Sequence, residues 1–430
     1  MKPSKTPENN LVFKFGGASV KDAAGIKNVA DILKSYAGSS VLVVISAMGK
    51  TTNALEEVAR NFFSGNPDAA GKLKEIKNFH VQTAKALLDQ RSDALLAELN
   101  TLFGELEWNL ESKPRYSFNK EYDQIVSRGE LASSLILYHY LIAEGFPCNL
   151  VDARDFIVTD DNWRNATVDF EATELRIAEG IKKEWEKNRI LITQGFIGSE
   201  MENFTTTLGR EGSDYTAAIF GYALNAASVT IWKDVPGVLN ADPKWFDGTV
   251  LIPQMSYQDA IELSYFGATV IHPKTLKPLQ NKKIPLFVKS FLDPKAAGTV
   301  ISDQQAPLPT PCFIFKVNQV LLSISPKDFS FIVEKNLGSI FSMFSDSGVT
   351  INTMQNSALS FSVCVDGDPE KLKPLISRLK EEYRVLYNEG LELVTIRYYN
   401  QETTDRVTEG KEILLEVRSR YTLQMVMKNV

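Results

Sequence analysis

The fold is decided by residues 11–45, which read LVFKFGGASVKDAAGIKNVADILKSYAGSSVLVVI. A short apolar run, Leu11–Phe15, ends at two glycines, and apolar residues then recur at helical spacing over Asp22–Tyr36. Val41–Ile45 is an uninterrupted apolar run, as is typical of a strand that is buried on both faces. The segment therefore predicts a strand–helix–strand unit of a parallel sheet that is covered by helices.

The same alternation continues to about residue 302, apart from one helical interruption. Residues 68–111 carry helical periodicity without a strand, and we interpret them as a helical insertion or lid. Further strands are predicted at Asn149–Val151, Arg189–Thr193, Val229–Trp232, Leu286–Lys289 and Thr299–Ile301. Further helices are predicted near 122–144, 171–187, 213–224, 256–265 and 273–281.

The rhythm changes after a segment that is rich in proline. Residues 302–311 hold three prolines and no apolar periodicity, which indicates a linker at about 303–312. Beyond it, elements follow in the order β-α-β-β-α-β, which is the ferredoxin-like arrangement. The strands are predicted at 320–325, 350–354, 359–365 and 391–398, and the helices at 334–347 and 370–382. Residues 400–430 leave room for one helix and two strands, too little for a second complete unit.

Composition excludes several classes of protein. The chain has 430 residues, which predicts two to four domains, and a net charge of 47 − 53 = −6, which argues against a general nucleic-acid binder. Its three cysteines and three histidines are scattered, so neither a disulfide framework nor a zinc site is indicated. The start of the chain lacks the apolar region of a secretory signal, and no apolar run reaches the roughly 18 residues of a membrane span. We expect a cytoplasmic protein without a membrane or nucleic-acid partner.

The first candidate site is Lys14–Val20, which reads KFGGASV. Glycines let backbone N–H groups approach an anion closely, and the start of the following helix adds partial positive charge. Lys14, at the end of the strand, could reach the same anion. For two glycines alone, an ordinary strand-to-helix turn is an equal alternative, and the lysine favours phosphate binding.

Two further motifs are weaker. Ser46–Asn53 (SAMGKTTN) follows the second strand and is rich in hydroxyls, although it could be a loop with a helix cap. Ser127–Glu130 (SRGE) places a glycine inside a predicted helix, where it costs roughly 1 kcal/mol relative to alanine and so indicates a close approach. Glu130 could bind an ammonium group or be a solvated helix carboxylate.

Two polar segments precede or follow regular elements in the middle of the chain. Thr205–Asp214 (TTTLGREGSD) combines hydroxyls, glycines, an arginine suited to a carboxylate or phosphate, and an aspartate that could instead cap the next helix. Trp232–Lys244 (WKDVPGVLNADPK) follows a strand and contains a Pro-Gly turn signature. Lys233, Asp234 and Lys244 could face a nucleotide, and a structured loop is an equal alternative.

Together, in this order and spacing, these motifs resemble the aspartate kinases of the amino acid kinase family. The stretch FGATVIHPKTL at 266–276 adds a sixth match. The resemblance implies a three-layer α/β/α, carbamate kinase-like catalytic domain at 11–302. It also implies ferredoxin-like α+β regulatory ACT domains at 313–430, one complete and one shortened, after a linker at 303–312.

The resemblance implies transfer of a phosphoryl group from ATP, with Mg²⁺, to the β-carboxylate of L-aspartate. The product would be 4-phospho-L-aspartate, the first step toward lysine, threonine and methionine. A carboxylate acceptor is already ionised at pH 7 and needs no strong general base. The implied catalytic residues are Lys14 and Asp214, and the implied substrate-binding residues are Ser46, Thr52, Glu130 and Arg210. The implied ATP-binding residues are Lys14, Gly16, Gly17, Ala18, Ser19, Lys233, Asp234 and Lys244, and no residue is assigned as a metal ligand.

The chain departs from the family pattern at several positions. Glu211 replaces a glycine in the GRGGSD motif, and its carboxylate could pair with Arg210 or point away. Lys233 replaces a threonine, and Leu239 and Lys244 replace an aromatic residue and an arginine. Thr269 replaces a lysine. We hypothesise that the ammonium group of Lys233 substitutes for the lysine that the family carries at the position of Thr269.

Regulation and assembly are predicted from the tail. Lysine-inhibited members carry an acidic residue where this chain has Asn352, and asparagine cannot neutralise the ammonium group of a ligand. Ser330 and Asn352 are candidate effector-binding residues, for lysine or threonine. Since ACT units commonly pair edge to edge, we expect a homodimer or larger assembly.

Two alternatives stay open beside an active aspartate kinase. One is a kinase of the same fold that acts on glutamate, acetylglutamate or UMP, although Arg210 and Glu130 together suit a free amino acid. The other is an inactive or weakly active kinase-like protein that senses an amino acid, which the changes in the nucleotide site would favour.

Overall fold

The computed structural model of the chain describes residues 10–268, 271–304, 310–328 and 330–430. The chain divides into two compact units. The first combines residues 10–238, Pro253–Ala260 and 271–304, and the second combines Leu239–Ile252, 261–268 and the described residues from 310 onward. Residues 305–309 of the predicted linker lie outside the described residues.

The first unit is built on an eight-stranded sheet in the order β3-β4-β2-β1-β7-β9-β10-β8. Every neighbouring pair is parallel except β9 with β10, which is antiparallel. The strands are β1 (Asn10–Phe15), β2 (Ser40–Ile45), β3 (Cys148–Leu150), β4 (Ile190–Gln194), β7 (Ser228–Lys233), β8 (Gln254–Ser256), β9 (Leu286–Ser290) and β10 (Thr299–Ser302). A small antiparallel hairpin consists of β5 (Ile197–Ser199) and β6 (Thr205–Thr207).

Helices follow the strands in alternation, which confirms the predicted α/β class with a mostly parallel sheet. They are α1 (Ala23–Lys34), α2 (Thr51–Ser64), α3 (Asp68–Leu88), α4 (Asp93–Leu110), α5 (Phe118–Val126), α6 (Arg128–Ala143), α7 (Ala153–Phe156), α8 (Phe170–Trp185), α9 (Gly212–Ala223), α10 (Tyr257–Phe266) and α11 (Pro273–Lys282). The helical insertion at 68–111 consists of α3 and α4, joined by a short 3₁₀ turn at Asp89–Ser92.

One detail of the sequence prediction is wrong, and one polar motif forms a strand that was not predicted. The single helix expected near 122–144 is two helices, α5 and α6, that meet at Ser127. Apolar periodicity continues across this junction and so gives no sign of it. The hydroxyl run Thr205–Thr207, for which no regular element was predicted, forms β6, and its side chains bond inside the protein. Thr206 shares a hydrogen bond of 2.7 Å with Thr159, and the hydroxyl of Thr207 donates to Asp123 at 2.7 Å.

The second unit contains a six-stranded antiparallel sheet in the order β12-β13-β11-β14-β16-β15. Its elements are β11 (Cys312–Pro326), α12 (Glu334–Asp346), β12 (Ile351–Asn356), β13 (Phe361–Asp366), α13 (Pro369–Glu382), β14 (Tyr383–Arg397), α14 (Gln401–Thr408), β15 (Lys411–Arg418) and β16 (Thr422–Asn429). The first four strands have the ferredoxin-like order. Both β11 and β14 have 15 residues and are longer than predicted, and β14 also pairs with β16.

Strand alternation in the first unit sends two lysines to the same face of the sheet. In β1, the side chains of Phe13 and Phe15 lie on the face opposite to Lys14. In the parallel neighbour β7, Trp232 pairs with Phe15, and its ring stacks on Phe15 with centroids 6.0 Å apart. Since Lys233 follows Trp232, its side chain points to the face of Lys14. No described helix is long and apolar enough to cross a membrane.

Candidate active site

A cavity of about 660 Å³ lies where several strands of the parallel sheet end. Lys14 and Lys233 come from the ends of β1 and β7, Ser46 follows β2, and Phe196 follows β4. The carboxyl ends of parallel strands are the usual place for a ligand site in such sheets. The cavity is also lined by Gly17, Ala47, Gly49, Thr52, Asn53, Glu56, Tyr122, Glu130, Arg164, Gly209, Arg210, Glu211, Gly212, Ser213 and Asp214.

Asp214 lies between two lysines at one side of this cavity. Its Oδ1 atom is 2.5 Å from Nζ of Lys14, and its Oδ2 atom is 3.7 Å from Nζ of Lys233. Asp214 is only 3% exposed and Lys14 only 8%. Burial by itself would raise the pKa of Asp214, but Lys14 and Lys233 outweigh it and hold this pKa below its ordinary value. Asp214 is therefore ionised at neutral pH, and it does not cap α9, whose N-cap residue is Glu211.

The turn after β1 is pressed against the loop after β2. A Cβ atom on Gly17 would lie 2.7 Å from the carbonyl oxygen of Ala47, so only glycine fits there. The backbone N–H of Gly49 donates to the carbonyl of Gly17 at 3.0 Å. This close approach explains the paired glycines of the motif and keeps the loop after β2 beside Lys14.

Of the four residues predicted to bind ATP in the turn after β1, only one lines the cavity. Among the described residues that line the cavity, Gly17 is present, whereas Gly16, Ala18 and Ser19 are not. The hydroxyl of Ser19 is buried and donates to the carbonyl of Trp232 at 3.4 Å, so it links the turn after β1 to β7. Ser19 thus has a structural role in this conformation.

Glu130 is a buried carboxylic acid at the wall of the cavity. One oxygen accepts a hydrogen bond of 3.2 Å from the backbone N–H of Ala47, and the other has no hydrogen-bond partner among the described residues. Burial raises the pKa of Glu130 to about 8, although the Ala47 N–H and the charge of Lys14 act in the opposite direction. The alternative of a solvated carboxylate is therefore wrong. A buried acid with a free oxygen beside a cavity is suited to bind a cationic group of a ligand.

Gly129, which precedes Glu130 in α6, is required by a close contact with the loop after β2. A Cβ atom on Gly129 would lie 2.9 Å from Cβ of Ala47 and 3.2 Å from Cγ2 of Thr51. The first turn of α6 therefore packs directly on the loop after β2 and the start of α2. This contact brings Glu130, Ser46 and Thr52 to the same wall of the cavity.

Arg210 and Glu211 lie together at the cavity but do not pair with each other. Arg210 is exposed to solvent and lines the cavity. Glu211 adopts a left-handed backbone conformation with φ 55°, which favours glycine. Its Oε2 atom accepts a hydrogen bond of 2.9 Å from the backbone N–H of His272. Of the two predicted alternatives for Glu211, the structure thus shows the one in which the carboxylate points away from Arg210.

Asp234 and Lys244 are two further residues predicted to bind ATP. Asp234 is exposed in the turn after β7. Lys244 belongs to the second unit, where its backbone N–H donates to the side chain of Asp242 at 2.9 Å. Thr269 lies outside the described residues. The structure therefore shows the position of Lys233 but not whether its ammonium group substitutes for a lysine at position 269.

The two predicted regulatory residues lie in the second unit. Ser330 is exposed, and its backbone N–H donates to Asp328 at 3.1 Å. Asn352 is part of a polar network: its carbonyl oxygen accepts from Nζ of Lys316 at 2.8 Å, and its amide donates to Gln319 at 2.8 Å and to Asp366 at 2.9 Å. The side chain of Asn352 is thus already engaged within its own sheet.

Sequence reasoning missed four cavity residues, namely Glu56, Tyr122, Arg164 and Phe196. Glu56 lies one helical turn after Thr52 in α2, so helical spacing could have found it. Arg164 lies in an irregular segment between α7 and α8 without a recognisable motif. Only the tertiary structure brings it to the cavity.

Comparison with known proteins agrees with this geometry. The family model named amino acid kinase family matches residues 9–290. The chain belongs to the amino acid kinase family.

Its relatives in this family are aspartokinases. Lysine-sensitive aspartokinase 3 of Escherichia coli strain K12 is 32% identical over 396 residues, which cover 90% of this chain and 86% of that protein. Chloroplastic aspartokinase 2 of Arabidopsis thaliana is 32% identical over 395 residues, which cover 87% of this chain. The chain spans 69% of the length of that plant protein and 64% of the length of chloroplastic aspartokinase 1 from the same plant.

Solved structures extend the similarity to both units. E. coli aspartokinase III in complex with lysine and aspartate matches with a TM-score of 0.81 and 30% identity, covering 97% of this chain and 96% of that chain. The same enzyme in complex with aspartate and ADP matches with a TM-score of 0.80 and 29% identity, covering 97% and 95%. These matches confirm the expected combination of an amino acid kinase fold with a C-terminal antiparallel sheet.

We predict that Asp214→Asn destabilises the protein. The substitution leaves two ammonium groups without the carboxylate between them, and removal of one partner from a buried ion pair costs about 3–5 kcal/mol. Calorimetry should show a lower unfolding temperature. Inorganic phosphate should raise this temperature more for the variant than for the wild type, because an anion can replace the missing negative charge.

A matched control is Asp31→Asn, which removes a carboxylate from an exposed ion pair with Lys34. Exposed ion pairs of this kind contribute little to stability because solvent screens them, so its unfolding temperature should hardly change. If Asp214→Asn were as stable as the wild type in phosphate-free buffer, the ion pairs of Asp214 would not hold this part of the cavity together.

Proposed function

We propose that this chain is an aspartate kinase, which transfers the γ-phosphoryl group of ATP to the β-carboxylate of L-aspartate. The single observation that carries the proposal is the joint presence, in one cavity, of a cationic group around Asp214, the buried acid Glu130 and the exposed Arg210. One side suits phosphates, and the other suits the two charges of an amino acid. The aspartokinase relatives support the same substrates.

At the phosphate side, Lys14 and Lys233 neutralise the charge of the transferring group. Phosphoryl transfer depends mainly on positioning and on electrostatic stabilisation of the charge that develops on the phosphate oxygens. Asp214 holds the Nζ atoms of Lys14 and Lys233 beside one another, 2.5 Å and 3.7 Å from its oxygens. The backbone of Gly17 lies beside them and can approach a phosphate, because it carries no side chain.

At the amino-acid side, Arg210 binds the α-carboxylate and Glu130 binds the α-ammonium group, with Ser46 and Thr52 completing the pocket. A guanidinium group suits a carboxylate because it offers parallel N–H donors. The β-carboxylate then points toward the lysines and attacks the γ-phosphorus, while ADP leaves. No general base is required, because the attacking oxygen is ionised at neutral pH.

Several finer properties belong to the same proposal. Mg²⁺ accompanies ATP and is bound mainly through its phosphates, as is usual for this ion. An amino-acid effector, lysine or threonine, acts through the C-terminal sheet near Ser330 and Asn352. The protein works in the cytoplasm as a homodimer or larger assembly.

The activity is tested with purified protein, MgATP and L-aspartate, with hydroxylamine present to trap the acyl phosphate. We expect an aspartate-dependent hydroxamate, no product without substrate, and little product with L-glutamate. Arg210→Ala should lower kcat/KM for aspartate at least about tenfold, because hydrogen bonds to charged groups contribute about 1.5–3 kcal/mol.

A matched control is Arg91→Ala, since Arg91 is exposed and pairs loosely with Glu144 at 3.8 Å, away from the cavity. This variant should keep the wild-type kinetics. A well-folded wild-type protein that gives no hydroxamate with ATP or GTP would overturn the proposed function and favour an inactive amino-acid sensor. More product from glutamate than from aspartate would favour a same-fold kinase with another substrate.

The raised pKa of Glu130 predicts how aspartate binding depends on pH. Below about pH 8 the free protein holds Glu130 protonated, whereas the substrate ammonium group binds the ionised form. The KM for aspartate should therefore fall as pH rises from 6 to 8, by at most about tenfold per pH unit. In Glu130→Gln the KM should be higher and should not show this pH dependence.

The stability of the free protein should fall as pH rises, although aspartate binding becomes tighter. Because the folded state raises the pKa of Glu130, its stabilising contribution is present at low pH and is lost as pH rises through about 8. Glu130→Gln should remove this loss, which thermal unfolding at pH 6 and pH 9 can measure. An unchanged KM–pH profile in Glu130→Gln would contradict the assignment of Glu130 to the ammonium group.

A further inference from the structure

Arg164 combines a strained backbone with a side chain at the cavity. Its φ is 69°, in the left-handed region, which is unfavourable for residues with a Cβ atom. It lies in the irregular segment before α8, and 41% of its side chain is exposed. Residues held in such conformations cluster at functional sites, where the surrounding structure enforces them.

A buried carboxylate enforces this conformation. Both oxygens of Asp123 in α5 accept the backbone N–H of Arg164, at 3.2 Å and 3.0 Å. The same carboxylate accepts the backbone N–H of Thr207 at 3.0 Å and its hydroxyl at 2.7 Å. Asp123 is fully buried and thereby ties three separate segments together. The backbone of Arg164 is fixed, whereas its side chain extends to the cavity.

The guanidinium group lies on the side of the cavity that holds Thr52. It sits over the ring of Tyr122, 4.4 Å from the centroid, and 3.9 Å from the carboxylate of Glu56. Glu56 lies one turn of α2 after Thr52, so both residues share one face of that helix. The guanidinium group also interacts with the hydroxyl of Tyr122 and, at a long distance of 3.5 Å, with the side chain of Asn119. The guanidinium group is therefore oriented by an aromatic ring but only loosely held by its polar neighbours.

We propose that Arg164 is a second substrate-binding arginine, which binds the α-carboxylate of the amino-acid substrate together with Arg210. This inference rests on the proposed function and adds a specificity-determining residue to it. An amino acid with a free α-carboxylate places a negative charge on this side of the cavity, since its reacting carboxylate faces Lys14 and Lys233. Arg164 then leaves its distant contact with Glu56 for a direct pair with the substrate.

The backbone contacts of Arg164 do not require its side chain. The contacts with Asp123 involve the backbone N–H, which every residue except proline can supply. A glycine would satisfy them without the cost of the left-handed conformation. The presence of a long charged side chain at such a position therefore has its reason at the cavity.

The test uses Arg164→Gly and Arg164→Lys in the full chain, with the hydroxamate reaction as readout. Arg164→Gly removes the guanidinium group and suits the backbone, so its unfolding temperature should equal or exceed that of the wild type. We expect its KM for aspartate to rise at least about tenfold, with the KM for ATP unchanged. Arg164→Lys keeps the charge without the paired donors. Its KM for aspartate should lie between those of the wild type and Arg164→Gly.

The matched control is Arg60→Ala. Arg60 also pairs with Glu56, at 2.7 Å, but does not line the cavity. This variant should keep the wild-type KM for aspartate.

The outcomes separate this inference from the proposed function. An unchanged KM for aspartate in Arg164→Gly overturns the inference, and so does an equal rise for aspartate and ATP. The inference is also overturned if the KM for aspartate rises as much in Arg60→Ala as in Arg164→Gly, because the effect would then arise from Glu56. Absence of aspartate-dependent hydroxamate in the wild type contradicts the proposed function itself. In that case isothermal titration with L-aspartate still decides the inference: weaker binding to Arg164→Gly supports it, and equal binding overturns it.

Discussion

The site depends on one buried aspartate that two lysines approach from neighbouring strands. Asp214 is almost completely buried, and such a carboxylate is stable only when its charge is compensated. Lys14 and Lys233 supply that compensation, at 2.5 Å and 3.7 Å. The three groups carry a net positive charge beside an open cavity, which is the electrostatic requirement for binding the phosphates of a nucleotide.

The remaining parts of the fold bring this group into position. Strands β1 and β7 are adjacent and parallel, so two lysines at their ends emerge on one face while Phe13, Phe15 and Trp232 pack on the other. The paired glycines after β1 allow the loop after β2 to approach, and Gly129 allows α6 to approach that loop in turn. This second contact buries Glu130 and raises its pKa to about 8. The packing that shapes the cavity thus also sets the pKa of the acid that we propose as the ligand of the substrate ammonium group.

Much of this arrangement was predictable from local patterns, and the exceptions have physical reasons. The alternation of strands and helices was predictable from apolar periodicity. Four cavity residues were predictable because they belong to short motifs near the ends of regular elements: Lys14, Glu130, Arg210 and Asp214. The break between α5 and α6 could not, because apolar periodicity runs through it. Neither Arg164 nor the hydrogen bond between Glu211 and His272 could be foreseen, since each depends on residues that are distant in the sequence. The hydrogen bond from the hydroxyl of Ser19 to the carbonyl of Trp232 could not be foreseen either, for the same reason.

The most direct test of the account is the affinity of Lys233→Thr for a non-hydrolysable ATP analogue with Mg²⁺, measured by isothermal titration. If two ammonium groups around Asp214 form the phosphate site, removal of one should raise the Kd at least about tenfold, since hydrogen bonds to charged groups contribute about 1.5–3 kcal/mol. Lys233→Arg, which keeps the charge, should bind nearly as well as the wild type. The KM for aspartate should stay unchanged in both variants. An unchanged Kd in Lys233→Thr would contradict the central role of the paired lysines.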